Sequence, residues 1–229
     1  YYAAHTGRWG GDDKLNLQNL PRKSLLKKAI VAPKGFVLVD ADSSQIEART
    51  VAWLSGQNDL VKAFDDKQDV YKIMASSIYG KREDEITADE RFVGKTTILG
   101  AGYGMGAIKF SLQLKTFGVE IDDAEASRII NVYRETYGWI PNLWKEANRS
   151  LEALSNKQTA KVGCQSQALS LTDSGFLLPS GLHLNYPDLR KDSDDQWSYA
   201  SRRGRIKIYG GKIVENLCCL LYTSDAADE

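Results

Sequence analysis

The stretch VLVDADSSQIEART, Val37 to Thr50, sets the reading of the whole chain. An apolar run that reads as a buried strand stops at two aspartates, a polar break follows, and a helix begins. Desolvating a carboxylate at the end of a core strand is costly, so a cation is expected to sit there. Period-two alternation puts Phe36, Leu38, Asp40 and Asp42 on one face. Asp42 falls where the strand turns into the helix, and a carboxylate held on rigid backbone suits a Mg²⁺ ligand. A plain turn at Asp42 and a surface ion pair at Asp40 account for the same residues, and spacing alone does not choose. Ser44 and Glu47 likewise fit a capping box, which by itself explains SSQIE.

Outward from this stretch, the composition is that of an ordinary globular protein: 42% hydrophobic and 26% charged, with 30 basic and 30 acidic residues cancelling. A neutral chain needs local patches for any contact with nucleic acid. Three cysteines and two histidines at unrelated spacings make neither a zinc site nor a disulfide framework. No apolar run reaches the roughly 18 residues of a membrane span, and no signal peptide opens the chain, so no membrane partner is expected and the cytoplasm is the expected setting. The opening YYAAHTGRWGG lacks an initiator Met and reads like the middle of a protein. The end, CLLYTSDAADE from Cys219 to Glu229, resembles one reading frame of a sequencing-library adapter, so 219–229 is expected to be a non-native tail.

The pattern predicts an α+β chain dominated by helices in its middle. A brief helix in RKSLLKKAIVAPKG ends at Pro33 and Gly35, a helix from the opening stretch closes at Gly56, and DLVKAFDD and DVYKIMASSIYG make two more. Residues 107–156 read as mostly helical, with Pro141 forcing a start or a kink. Residues 175–211 read as short strands and turns, and GKIVENLCC starts another helix. DERFVGKTTILGAGYGMG is ambiguous. As a helix it puts Arg91, Lys95, Leu99 and Tyr103 on one stripe about 18 Å long. Two cations, an aliphatic side chain and an aromatic are the chemical order of a nucleotide's phosphates, sugar and base. As a strand and turn, the same segment fits G-x-G-x-x-A through Gly102, Gly104 and Ala107, with Glu120 or Asp122 about twenty residues on, a dinucleotide-binding oxidoreductase pattern. VGKTT is no P-loop, because Asp89 stands where that motif needs glycine. Arg8, Gln18 and Asn19 near the start can donate to minor-groove acceptors, and SRRGRIKIYGGK carries Arg202, Arg203, Arg205, Lys207 and Lys212 as a basic segment.

Taken in order, these segments resemble the family A DNA polymerases, most closely those of bacteriophages. TGRWGGDDKLNLQNLPR resembles the family's stretch before the palm, DADSSQIEAR its motif A, and RFVGKTTILGAGYG its motif B on the fingers helix. YGGKIVEN resembles the phage-type return to the palm. The resemblance implies a partial palm with an antiparallel sheet and an inserted helical fingers subdomain. It assigns 1–56 to palm, 57–174 to fingers and 175–218 to the return. It implies a catalytic and metal role for Asp42 with the Ser43 carbonyl beside it, and two Mg²⁺ ions in a complete enzyme. Gln45, Glu47, Arg91, Lys95, Leu99 and Tyr103 become nucleotide-binding residues, with Glu47 barring the ribose 2′-hydroxyl and Lys95 also catalytic. Arg8, Asn16, Gln18, Asn19 and Gly104 become DNA contacts. The implied partners are primer–template DNA, deoxynucleoside triphosphates and replication accessory proteins, in the host cytoplasm for a viral enzyme.

Three departures stand out. Ser43 replaces a Tyr, Leu99 replaces the Phe or Tyr expected against the sugar, and Tyr71 lies near a His of cellular relatives. The family's His-Asp-Glu motif, with its second metal-binding aspartate, occurs nowhere in the sequence. The 229-residue chain alone is therefore expected to give no product in a primer-extension assay, and clear extension by purified material overturns that expectation.

Overall fold

Helix ends follow from local chemistry. The computed structural model describes residues 5–8, 20, 24–39, 41–162, 168–201 and 204–225, with side chains as far as Tyr222. Its helices are α1 (Leu25–Lys28), α2 (Ile46–Ser55), α3 (Asn58–Asp65), α4 (Val70–Tyr79), α5 (Ala88–Ala101), α6 (Ala107–Thr116), α7 (Asp123–Thr136), α8 (Trp139–Ser155) and α9 (Gly210–Asp225). Gly56 and Gly80 close α2 and α4 at φ 74° and 65°, a left-handed turn that a Cβ would strain. Thr87 and Glu90 form a reciprocal capping box at the start of α5. Pro141 lies in the first turn of α8, where its missing amide has no intrahelical partner to lose, so it starts the helix rather than kinking it.

Strands β1 (Ala160–Val162), β2 (Leu169–Leu171), β3 (Gly175–Leu177) and β4 (His183–Asn185) make one antiparallel sheet in that order. Strands β5 (Arg190–Lys191), β6 (Trp197–Ser201) and β7 (Gly204–Lys207) make a second. The hairpin β2–β3 spans the expected boundary at 174/175, so the first sheet draws on both sides of it. β1 and β2 were not legible beforehand, because three residues are too few to carry a period-two signal. The remaining strands fall in the segment where they were expected.

The core is continuous across both kinds of element. Val51, Leu54, Ile130, Leu143 and Val214 from the helices join Leu169, Phe176 and Leu184 from the sheet. α2 sits centrally, packed against α3, α5, α8 and α9. No helix among the described residues is long and apolar enough to cross a membrane. The expected non-native start at 219 falls inside α9, which runs without a break to Asp225, with Leu220 buried.

The expected strand through Val37 is not formed. Phe36, Val37, Leu38 and Val39 lie in irregular backbone and are 74%, 85%, 62% and 82% exposed. A strand exists only by pairing, and both sheets are built from residues beyond 159, so among the described residues no strand pairs with this segment, whose one backbone bond, from the Phe36 amide to the Pro33 carbonyl, closes a turn. Asp40 lies outside the described residues.

α4 and α5 approach each other closely at Gly94. A Cβ on Gly94 would lie 2.2 Å from the Tyr71 carbonyl oxygen and 3.1 Å from the Ala75 amide nitrogen. Alanine at this position gains about 1 kcal/mol of helix propensity but forces two backbones apart, which costs about 1–3 kcal/mol. Gly94→Ala is therefore expected to lower the urea midpoint and loosen α4 against α5. An unchanged midpoint would mean that the two helices separate freely.

Candidate functional site

α5 reads as a helix in which one side is spent on packing. Val93, Thr97, Ile98 and Ala101 are buried, while Lys95 is exposed and Leu99 is 39% exposed. Thr96 and Thr97 satisfy their hydroxyls on the carbonyls four residues back, so neither burial leaves an unpaired group. Residues 96–99 are helical, which corrects the rival reading. The glycines at 102, 104 and 106 form a turn from one helix to the next, with Gly104 at φ 80°, and no strand enters it. A dinucleotide-binding unit has no place there.

Tyr103 lies just past the end of α5 and ties three elements together. Its hydroxyl donates to the Glu47 carbonyl at 3.3 Å, and its own carbonyl lies so near Gly211 that a Cβ there would approach to 2.5 Å. Burial, with the nearby Cys218 and Glu47, pushes the phenol well above its usual range, so it remains a neutral donor. The Trp144 indole donates to the Gly102 carbonyl at 2.9 Å and holds the same turn from α8.

Glu47, Leu99, Tyr103 and Gly104 line one cleft of about 400 Å³, together with Arg8, Lys109 and Glu215. The expected capping box of Ser44 and Glu47 is absent. Gln45 takes the cap position at φ 59° without a side-chain bond, and the Glu47 carboxylate instead lies 3.7 Å from Arg8. That frees Glu47 to face the cleft. A second cleft of about 750 Å³ adjoins at Gly104 and Tyr209, with Trp144, Arg134, Lys145 and Asn148 on its walls.

Arg91 and Lys95 stand outside both lining sets, over the ring of Tyr71. The Arg91 Cζ is 5.2 Å and the Lys95 Nζ 6.0 Å from the ring centroid. Asp69 joins them. Its carboxylate accepts from the Tyr71 and Lys72 amides as the cap of α4 and, at 2.7 Å, from the Arg91 Nε. Sequence reasoning missed Asp69, although a capping residue type directly before the DVYK helix was the available signal. It also missed Lys109, Tyr209 and Glu215, which no local pattern marks.

Asp42 and Ser43 lie exposed on the approach to α2, and neither they nor Gln45 line either cleft. Among the described residues no three His, Cys, Asp or Glu side chains group to hold a metal ion. One carboxylate and one carbonyl fall short of the six or so oxygens a hard divalent cation takes, so the described residues do not make a metal site by themselves. Of the expected DNA contacts, Arg8 and Gly104 are in the cleft. Asn16, Gln18 and Asn19 lie outside the described residues, as do Arg202 and Arg203 of the basic segment.

Comparison with known proteins matches residues 2–163 to the family model for DNA polymerase family A. DNA polymerase I of Synechocystis is 37% identical over 59% of this chain and 13% of its own length. The DNA polymerase of Bacillus phage SP02 is 25% identical over 95% of this chain and 40% of its own length. The thermostable DNA polymerase I of Thermus aquaticus is 32% identical, over 64% and 18% respectively. The chain thus spans well under half the length of these relatives. Among solved structures, the POL domain of Pol1 from M. smegmatis, in complex with DNA primer-template and dNTP, superposes with a TM-score of 0.56. It is 22% identical and covers 98% of this chain and 34% of its own, a likeness of fold.

The Asp69 carboxyl carries a pH signature. Burial pushes it up, but the Arg91 hydrogen bond, the Lys72 amide, the Arg91 charge and the Tyr71 amide outweigh burial and hold it below the usual carboxylate range. A lowered folded-state pKa stabilises above the unfolded value and is lost as pH falls through the folded one. The stability difference between wild type and Asp69→Asn is therefore expected at neutral pH and to vanish as pH drops below about 4. A difference independent of pH in denaturation curves would show that the carboxylate charge contributes nothing.

Proposed function

The chain belongs to DNA polymerase family A, and on that premise we propose that it carries the nucleotide-handling part of a template-directed DNA polymerase. The reaction is transfer of a deoxynucleotide to a primer 3′ end. One observation supports this reading above the others: Glu47 from α2 and Leu99 and Tyr103 from the α5 segment, far apart in sequence, line a single cleft beside the Arg91–Lys95 shelf.

In this reading Tyr103 lies at the base, Leu99 and Glu47 at the sugar, and Lys95 and Arg91 at the phosphates. Glu47 leaves no room for a 2′-hydroxyl and so favours deoxynucleotides. The two cations offset charge that grows on the phosphates in the transition state, the largest electrostatic contribution these residues can make. Leu99 grips the sugar less closely than an aromatic side chain would. Closure of α5 over the cleft couples correct pairing to assembly of the site. Residues 1–56 and 175–218 are read as palm and 57–174 as fingers, with the first sheet shared across the second boundary.

Primer–template DNA is the proposed partner, with Arg8 and Gly104 among its contacts. The second cleft, with its cations, amides and aromatic walls, suits the template strand. Accessory proteins of replication remain a further proposed class of partner. Family A enzymes work with two metal ions. Asp42, with the Ser43 carbonyl, is the candidate here for one side of a Mg²⁺ site whose other ligands are not among the described residues.

Titration of the 229-residue chain with nucleotides tests this. Arg91→Ala and Lys95→Ala are each expected to weaken dATP binding about tenfold or more, the worth of a charge-assisted contact. Glu47→Ala is expected to narrow the preference for dATP over ATP. Equal effects on dATP and on deoxyadenosine would remove the phosphate assignment.

A further inference from the structure

The Arg91 side chain is held in an unusual way for a surface cation. It is 40% exposed, yet it is fixed at two points. Its Nε donates to Asp69 at 2.7 Å, and its guanidinium carbon lies 5.2 Å from the Tyr71 ring centroid. The bond to Asp69 uses the Nε edge alone. Among the described residues no partner takes the two terminal Nη groups, which form the fork that binds phosphate oxygens in a bidentate way.

Asp69 is itself rigid. One of its oxygens accepts from the Tyr71 and Lys72 amides, both at 3.2 Å, and the other takes Arg91. The first bond pair ties it to the first turn of α4, and the close approach at Gly94 ties α4 to α5. An arginine side chain carries a large rotamer entropy that a ligand would otherwise have to freeze out. Most of that is already spent here before any ligand arrives, so the fork is preorganised. Lys95 lies on the same ring, one helical turn along.

We propose that Asp69 is a positioning residue for a polyphosphate ligand: it anchors Arg91 by Nε, so that the free fork stands beside Lys95 on the Tyr71 shelf and meets two adjacent phosphoryl groups. The inference rests on the reading of Arg91 and Lys95 as phosphate contacts, and adds what makes them selective. A fixed arginine fork with a lysine beside it favours two or more linked phosphates over one. A mobile pair favours any anion in proportion to its charge.

Three variants separate anchoring from helix capping. Asn at 69 has one accepting oxygen, so with that oxygen capping α4 it turns its amide nitrogen, a donor, towards Arg91 Nε and cannot anchor it. Ser caps α4 but is too short to reach Arg91. Ala does neither. The probes are inorganic tripolyphosphate, dATP and dAMP, titrated by calorimetry, with the Arg91 Nε–H resonance followed in ¹⁵N-resolved spectra of the free protein. In the wild type that resonance is expected to be sharp and protected from exchange. Asp69→Asn, which caps α4 but meets Nε with a donor, should lose it and bind tripolyphosphate and dATP about tenfold more weakly. Asp69→Ser should lose it and bind both about tenfold more weakly, with dAMP affinity unchanged and the melting temperature held by the retained cap.

Wild-type affinity in Asp69→Ser would reduce Asp69 to a helix cap and overturn the proposal. Tighter binding in both Asn and Ser variants would overturn it in another way, by making Asp69 a competitor for Arg91. Absence of any tripolyphosphate or dATP binding to the wild type, with the protected resonance present, would sink the underlying phosphate reading and this inference with it. Binding without a protected resonance would sink the inference alone.

Discussion

The contact at Gly94 governs the geometry of the helical body. Two helices usually stand apart by the thickness of their side chains. Here the missing Cβ lets α5 lie directly on the Tyr71 carbonyl of α4. That single approach sets where the Tyr71 ring lies beneath α5, which cations can reach it, and how far Asp69 stands from Arg91. Glycine inside a helix is a local weakness. At this position the weakness is what makes a shared surface from two elements.

Tyr103 plays the corresponding part at the other end of α5. Its hydroxyl reaches α2 at Glu47, its carbonyl meets α9 at Gly211, and its turn is held by Trp144 of α8. None of these contacts is strong alone, but together they fix one aromatic ring relative to three helices. A neutral phenol suits the task, since an ionised one could not donate to a backbone carbonyl. The cleft beside it is thus bounded by backbone as much as by side chains, and Gly104 at φ 80° permits the sharp exit.

Much of this was legible from residues alone, and the failures have physical causes. Helices that carry their own stop signals, such as those ending at Gly56 and Gly80, were read correctly because the signal is local. The stripe Arg91, Lys95, Leu99 was legible for the same reason: it is a matter of spacing on one element. Asp69 was not, because its meaning depends on α4 lying against α5, which no spacing within either helix announces. The strand through Val37 failed in the opposite direction. Its alternation and composition are those of a strand, but pairing is supplied by another part of a sheet, and no described residue supplies it. The expected capping box at Ser44 failed because Gln45 in a left-handed conformation turns the chain before the hydroxyl can serve. Glu47 then became available to face the cleft, so the lost cap and the candidate site are one event.

The bare segment from Phe36 to Val39 has a consequence for handling the protein. Four consecutive exposed apolar residues that no strand pairs among the described residues, with only the Phe36 amide engaged, in a turn to the Pro33 carbonyl, are a docking rail for any passing sheet edge, a second copy included. The neighbouring residues act as brakes: Pro33 offers no amide, Lys34 repels its own kind, and the acidic pair that follows discourages stacking in register. Solubility of this chain is therefore a contest between a short sticky run and the charges that bracket it, and raising ionic strength, by screening those charges, tips the balance towards the run.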